Sequence, residues 1–498
     1  MNNFFTKKQS IPMEEPLGLL RKIKGDNPCF ILESSTISDK PGIMSLVGVE
    51  PPLELIGTTT GCEVNLLDPR ASFYMDYIQK KFADNVTETT ETSLKLAFPI
   101  LPFSPEDTAR FTRLTSGSVI KSLLEDFKSD HKNFCGFYGA FSYSFVYQYE
   151  EVPNAKQNHT PDYHFFLFDN IVVMNAVTSE AEIFITRKNE ADCFEAMDRI
   201  YQGALDKVEL PELSFNVGEI YATPGPDEFI TQVECAREHC RKGELMEIVV
   251  SRKFTGKVSG DPIALYEEYR KINPSPYMFF FDLNDEFLVG TSPEVMVRQE
   301  NGKVILRPIS GSAPRGKNPI EDHDFMMELF NSAKEKSELD MLVDLARNDL
   351  ARVCKPGIKI DNYRFIEKYA RVMHTESQIS GELLPEYTGF DALISSLNAG
   401  TLTGSPKVAA MNLIEDIEQH TRGYYGGAIG YCNFNGDVNT AITIRTAHIK
   451  GDDFSYCAGA TLLYESDPQS ELNEVQIKTD AFLMSLEKFT SAKAQLQK

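Results

Sequence analysis

The chain has 498 residues, with 50 Lys and Arg against 73 Asp and Glu, a formal net charge of −23, and 33 Phe and 20 Tyr but no Trp. Apolar residues at 42% suffice for a large core. The acidic balance argues against nucleic acid or anionic membrane as partners, since phosphate contacts need clustered Lys and Arg. No apolar run approaches the ~20 residues of a membrane span. Met1 to Pro16 lacks the apolar centre of a secretory signal, and the nine cysteines are scattered without a CxxC pair. Cys235 and Cys240, the nearest two, would point about 140° apart on a helix. A cytoplasmic protein with reduced thiols is expected.

The first regular pattern, His164 to Thr186, holds two β-rich runs around a turn at Thr178 to Glu180. Pro211, Pro224, Gly225 and Pro226 then interrupt the chain between Leu210 and Asp227. They divide it into an N-terminal portion, 1–215, and a C-terminal portion, 216–498, free to share one sheet assembly. From Asp227 to Lys242, the residues Phe229, Val233, Ala236 and Cys240 fall on one helical stripe, and Pro226 suits the helix start. Tyr277 to Ser310 reads as a meander with turns at Asn284-Asp285 and Asn301-Gly302. A long helical stretch, Asp322 to Leu350, follows. A further meander, Gly426 to Leu463, turns at Asn435-Gly436 and Gly451-Asp452, and Ser470 to Phe489 forms the last helix. Antiparallel meanders with helices between the blocks predict an α+β fold rather than a doubly wound parallel sheet.

Carboxylates occur where apolar residues belong. With Glu335 at zero and 100° per residue, Glu338 lies at about 300°, Leu342 at about 340° and Ala346 at about 20°. Both acids sit inside the apolar stripe of their helix. Glu-x-x-Glu pairs are more often solvated, but an unpaired buried carboxylate is costly and points to a neutralising ligand. The last helix repeats the pattern, with Glu471, Glu474 and Lys478 at about 0°, 300° and 340°, beside Phe482 at about 20°. Two such helices can offer oxygens to one hard cation such as Mg²⁺.

Ala399 to Met411 (AGTLTGSPKVAAM) places Gly400 and Gly404 before a helix, either as an anion cradle or as an ordinary capped turn. Arg445 lies in the β run Ala441 to Ala447, either as a structural ion-pair partner or as a fork for a carboxylate. His374 follows Arg371, and a lone His is more often structural than catalytic. Together these features suggest a small polycarboxylate bound through Mg²⁺ and Arg.

Seven ordered segments carry a resemblance: Asn273 to Phe280 (NPSPYMFF), Gly290 to Glu294 (GTSPE), Arg307 to Gly316 (RPISGSAPRG), Met341 to Arg352 (MLVDLARNDLAR), Gly400 to Met411, Tyr425 to Tyr431 (YGGAIGY) and Asp467 to Glu474 (DPQSELNE). The sequence resembles the large subunits of anthranilate synthase, within the chorismate-utilising enzymes. The resemblance implies packed antiparallel or mixed sheets flanked by helices, an α/β/β/α core. It implies conversion of chorismate and ammonia to anthranilate and pyruvate, the first step of tryptophan biosynthesis, with Mg²⁺ held by Glu335, Glu338, Glu471 and Glu474. Arg445 and Tyr425 would hold the enolpyruvyl carboxylate, and Lys478 with the backbone near Gly459 would complete the carboxylate contacts. Thr291, Thr401 and Gly404 would line the substrate site. His374 would serve pyruvate elimination, alongside Glu335 and Lys478 in the catalytic set.

Ile31 to Ser35 resembles a feedback site for tryptophan, with Leu32, Glu33, Ser34, Asn273, Pro274, Tyr277 and Met278 as its contacts. The chain has no evident glutaminase Cys-His pair, so the resemblance implies a separate glutamine amidotransferase subunit, two copies of each subunit assembling together. Ser310 stands where aminodeoxychorismate synthases carry a Lys, which favours ammonia over a protein nucleophile. Glu247, Ala313 and Thr461 depart from the family's usual Gln, Arg and Gly. Alternative products are 2-amino-4-deoxyisochorismate, aminodeoxychorismate, isochorismate or salicylate. A non-catalytic tryptophan-binding regulator is the alternative from a different class.

Overall fold

The computed structural model describes residues 4–34, 44–100, 102–103, 107–153, 155–369 and 372–490. Two large sheets, paired antiparallel throughout, lie face to face. The first has at its centre Met44–Val49, Cys29–Glu33, Tyr277–Asp282, Glu286–Ser292, Thr446–Lys450, Asp453–Leu462 and Glu247–Gly260, in that order, with Phe215–Thr223 at one edge. The second runs from Ile309–Pro314 through Val372–Glu382, Lys303–Leu306, Val295–Glu300, Val438–Ile442, Ala428–Asn433, Gly136–Phe141, Tyr163–Phe168 and Leu53–Thr58 to its far hairpins. Helices cover both outer faces, giving the expected α/β/β/α layering.

The layering explains the phenylalanine content. Successive strand residues face opposite ways, and in Tyr277–Asp282 both faces are buried. Phe279 and Phe281 therefore enter the core between the sheets, while Met278 and Phe280 enter the core under the helices. Phe30 stacks on Tyr138 at 4.3 Å across the sheet interface and meets Phe168 edge-on at 4.8 Å.

Each expected meander is split between the sheets. Tyr277–Asp282 and Glu286–Ser292 lie in the first sheet, and the chain passes at Pro293-Glu294 to Val295–Glu300 in the second. Val438–Ile442 lies in the second, and the chain passes back at Thr443 to Arg445. The same happens at Asp169, so His164 to Thr186 forms three strands rather than two runs around one turn. Arg445 is thus not inside a strand but at the break, with a left-handed φ of 52°. The expected helix Asp322 to Leu350 is two, Pro319–Asn331 and Ala333–Ala351, because Ser332 is extended and its hydroxyl caps the second helix at Glu335. Between Leu210 and Asp227 the chain forms the edge strand Phe215–Thr223. All nine cysteines are free thiols. Among the described residues no helix is long and apolar enough to cross a membrane.

A buried ionic network ties the sheets together. From the second sheet, His164 bonds Glu54 at 2.9 Å and Glu286 of the first sheet at 3.1 Å. Glu286 also accepts from Tyr424 at 2.8 Å and contacts His448 at 2.7 Å. Burial alone would lower the His164 pKa, but hydrogen bonds to Glu286 and Glu54 outweigh it and raise it. Burial alone would raise the Glu286 carboxyl, yet His164 and His448 hold it well below the usual range. The histidine contribution is complete below its ordinary value of about 6.5 and is lost as pH rises through the raised one. The Glu286 contribution is complete above about 4.5 and is lost as pH falls through the depressed value. In urea unfolding, His164→Gln should cost about 3–5 kcal/mol near pH 6 and distinctly less near pH 9. Equal losses at the two pH values would assign the network to packing rather than charge.

Candidate active site

A cavity of about 300 Å³ opens where the strands change sheets. Both later crossovers contribute to its wall, through Pro293 and Glu294 at one and Ile444 and Arg445 at the other. Every residue lining it lies at position 247 or later. Glu335 and Glu338 enter from the helix Ala333–Ala351, whose Leu339, Leu342, Val343 and Ala346 are buried as the wheel requires. Glu471, Glu474 and Lys478 enter from Pro468–Glu487, capped by the Asp467 side chain on the Ser470 amide. Each helix presents its first Glu in the first turn, where the helix dipole favours negative charge.

Burial and the charge of Glu335 push Glu338 up to about 7. Burial also raises Glu335 and Glu471, with Glu474 adding to both. The buried Oε2 of Glu471 has no hydrogen-bond partner among the described residues. Among those residues no three His, Cys, Asp or Glu side chains gather closely enough to hold a metal. The four acids share one wall without closing on a common centre, as unneutralised like charges must. As an oxygen-only set with an unpartnered member, they fit a hard divalent cation.

The opposite chemistry adjoins them. Arg445 donates from Nη1 to the Lys478 carbonyl, and Lys478 Nζ bonds the Gly459 carbonyl at 2.9 Å and Glu474 at 2.7 Å. Tyr425 and Thr401 complete this side, Thr401 donating to Glu294 at 2.8 Å. His374 Nδ1 lies 2.8 Å from the Gly311 carbonyl. A carbonyl only accepts, so Nδ1 carries the proton and Nε2 keeps a free lone pair. Burial holds the ring neutral, its pKa lowered to about 4.

Two expected substrate contacts are absent from this wall. Thr291 is fully buried behind it, where its hydroxyl accepts from Asn273 at 2.8 Å and its amide donates to the Arg445 carbonyl at 3.1 Å. Gly404, at φ 141°, packs against Glu247: a Cβ there would lie 2.3 Å from the Glu247 carbonyl oxygen. The close approach of the two backbones there leaves no room for a side chain.

Of the residues expected to contact tryptophan, Leu32, Glu33, Ser34, Tyr277 and Met278 line a separate cavity of about 390 Å³ between the sheets. Asn273 and Pro274 are not among its lining residues. Ser35 and Arg371 lie outside the described residues.

Two acids of the active cavity were not assigned from sequence. Glu294 is pushed up to about 8 by burial, partly opposed by Thr401. Glu247 is pushed up to about 8 by burial and by the charge of Glu338. A usable signal for Glu294 was Pro293, which cannot continue a ladder and so marks the break between two β runs.

Residues 74–484 match the family described as chorismate binding enzyme. Anthranilate synthase component 1 of Acetivibrio thermocellus is 30% identical, covering 95% of this chain and 93% of that protein. The Vibrio cholerae protein of the same name is 29% identical over 98% of both. Among solved structures, anthranilate synthase component I of Streptococcus pneumoniae superposes with a TM-score of 0.73 at 26% identity, covering 90% of this chain and 93% of that one. The menaquinone-specific isochorismate synthase of Escherichia coli, at 16% identity and a TM-score of 0.69 over 97% and 95%, shares the fold. With a family match spanning most of its length and relatives aligned nearly end to end, the chain belongs to the chorismate-binding enzymes.

Proposed function

We propose that this chain is the chorismate-converting subunit of an anthranilate synthase, forming anthranilate and pyruvate from chorismate and ammonia. The observation that carries the reading is one cavity with four carboxylates on one wall and Arg445 and Lys478 beside them, in a chain matched nearly end to end by relatives of that name. On this reading residues 216–498 hold the whole reaction site, and residues 1–215 contribute part of the inhibitor pocket.

Glu335, Glu338, Glu471 and Glu474 would hold Mg²⁺, which when bound supplies positive charge to the ring carboxylate of chorismate. Arg445 offers a fork to the enolpyruvyl carboxylate, steadied by the Tyr425 hydroxyl. As ammonia bonds to C2 and the C4–O bond breaks, neutral Glu294 can give its proton to the departing hydroxyl, which leaves as water, and the carboxylate so formed can take back the proton that the new C2 ammonium must lose. In the second step His374 Nε2 can accept the C2 proton as the C3–O bond breaks, the ring becoming aromatic and the enolpyruvate that leaves taking up one proton at its methylene carbon to become pyruvate. Ammonia would come from a glutamine amidotransferase subunit, a reading supported by the relatives' designation as component 1. Two of each subunit, in the cytoplasm, complete the proposed assembly.

Tryptophan would bind as inhibitor between the sheets. Support comes from the mixed apolar and charged wall of that cavity and from its use of Pro293 and Ile309, which also line the active cavity.

Purified protein mixed with chorismate, Mg²⁺ and ammonium should develop anthranilate fluorescence and release pyruvate; a stable aminated product without pyruvate would replace this reading with a synthase that stops earlier. Glu474→Gln should raise the half-saturating Mg²⁺ about tenfold or more, and should weaken thermal stabilisation of the free protein by Mg²⁺ equally. Unchanged titrations would remove the metal assignment. Ser34→Phe, far from the reaction site, should leave turnover intact while abolishing inhibition by tryptophan; full inhibition of that variant would rule out this pocket.

A further inference from the structure

One edge of the strand Glu247–Gly260 has a gap in its ladder. Glu247 and Ile248 pair with Ser405 and Gly404, and the next paired neighbour on that side is Thr223, opposite Lys253. The backbone groups between these pairings need partners. The Val249 amide donates to the Thr403 carbonyl at 2.9 Å, and two side chains supply the rest. Arg422 Nη2 donates to the Val249 carbonyl at 2.8 Å, and Glu418 accepts the Ser251 amide at 2.8 Å. Arg422 and Glu418 are both buried and form a bidentate pair, Nε to Oε2 at 2.9 Å and Nη2 to Oε1 at 2.6 Å.

Arg422 does more than fill the gap. Its Nη1 donates to the Leu402 carbonyl at 2.6 Å, one residue after Thr401. Its guanidinium lies over two rings, 4.6 Å from the centre of Tyr143 and 5.6 Å from that of Tyr425, and its own carbonyl accepts the Tyr425 amide at 3.2 Å. Val249, Leu402 and Tyr425 all line the active cavity, whereas Arg422 is not among its lining residues. One planar fork thus fixes three separate pieces of that wall, which the point charge of a Lys cannot do.

The far end of the Tyr425 ring is fixed as well. Its hydroxyl lies against Gly459, where a Cβ would stand 2.9 Å from it, and the Gly459 carbonyl accepts from Lys478. Burial pushes the Tyr425 phenol above its ordinary value, with the Arg422 charge drawing it partly back, so the group stays protonated and remains a donor. We propose that Arg422, neutralised by Glu418, is a positioning residue that sets the Tyr425 hydroxyl for the substrate carboxylate. This rests on the reading above in which Tyr425 and Arg445 hold the enolpyruvyl group, and adds to it the element that orients the phenol.

Calorimetric titration with chorismate, in the presence of Mg²⁺ and without ammonium, tests this without turnover. Arg422→Lys keeps the charge but not the fork and should weaken chorismate binding roughly tenfold, as should Tyr425→Phe. Because the first change acts through the second residue, the double variant should bind no more than about twofold more weakly than Tyr425→Phe alone. Losses that simply multiply in the double variant, or either single loss below about twofold, overturn the proposal. Thermal stabilisation of the free protein by Mg²⁺ should keep its midpoint within about twofold in Arg422→Lys, and a midpoint displaced as far as chorismate binding would make the pair a general support of the cavity instead. Should Arg422→Lys fail to fold, Glu418→Gln keeps the size of the partner and loses its charge. It should weaken chorismate binding about threefold with Tyr425 present and not at all with Tyr425→Phe, and equal losses in the two backgrounds overturn the proposal. If no anthranilate forms but the coupling between the two residues is found, the activity reading fails and the positioning role stands. If anthranilate forms and the two residues act independently, the positioning role alone fails.

Discussion

A strand that moves from one sheet to another has to abandon its ladder, and this chain does so in ways that leave charged residues at the breaks. Glu50 lies between Val49 and Leu53, Asp169 between Phe168 and Asn170, Glu294 between Ser292 and Val295, and Arg445 between Ile442 and Thr446. Charge is tolerable there because a broken ladder leaves room for a side chain and for backbone groups that need partners. The first two crossovers settle their charge within the protein: Glu50 pairs with Arg199, and Asp169 with Arg187 at 2.6 Å. The last two turn theirs toward a cavity. The Glu294 side chain accepts from the Thr401 hydroxyl, and Arg445 donates to a backbone carbonyl. The difference between a structural crossover and a chemical one is whether the opposite charge is built in or left for a ligand.

The same reasoning makes sense of an acidic cavity in an acidic protein. Burial raises Glu247, Glu294, Glu335, Glu338 and Glu471 together, so each is held closer to neutrality than a surface carboxyl. A wall of this kind favours a cation or hydrogen-bond donors, since Arg445 and Lys478 stand on the other side of the cavity. It also separates roles by environment. Glu338 and Glu335 repel one another on a shared wall and gain most from a cation, whereas Glu294, raised by burial and bonded to the Thr401 hydroxyl, suits proton donation.

The layers of the fold and the helical carboxylates were legible because periodicity is local. Glu335, Glu338, Glu471 and Glu474 fell in apolar stripes on the wheel, and their helices bring them to one cavity. Arg445 was legible as a residue type but misplaced in structure, because AITIRTA is apolar and β-branched on both sides of a break that only tertiary pairing reveals. Gly404 stayed open between a cradle and an ordinary capped turn because a glycine before a helix looks the same whether it admits an anion or a neighbouring strand. Glu247 was visible as an unusual residue but not as a site residue. Its isolation depends on which cations fail to reach it, and no spacing in the sequence reports that.

The two cavities meet at one of these crossovers. Pro293 and Ile309 line both, and the strand that ends at Ser292 is paired along its length with Tyr277–Asp282, which faces the inter-sheet cavity. A molecule wedged between the sheets at Ser34 and Tyr277 acts on sheets that are otherwise clamped by the His164–Glu286 network, and close-packed sheets shift as units rather than deform locally. The element between them is the break at Pro293-Glu294, which lies outside the named strands and is tied to the second sheet by the Ile442 amide donating to the Glu294 carbonyl at 2.9 Å. Displacing it moves the Glu294 carboxyl relative to Thr401 and Arg445. On the function proposed above, a ligand in the first cavity would need no contact with substrate to disturb proton transfer by Glu294 in the second. The arrangement predicts an effect on turnover rather than simple competition for the substrate site.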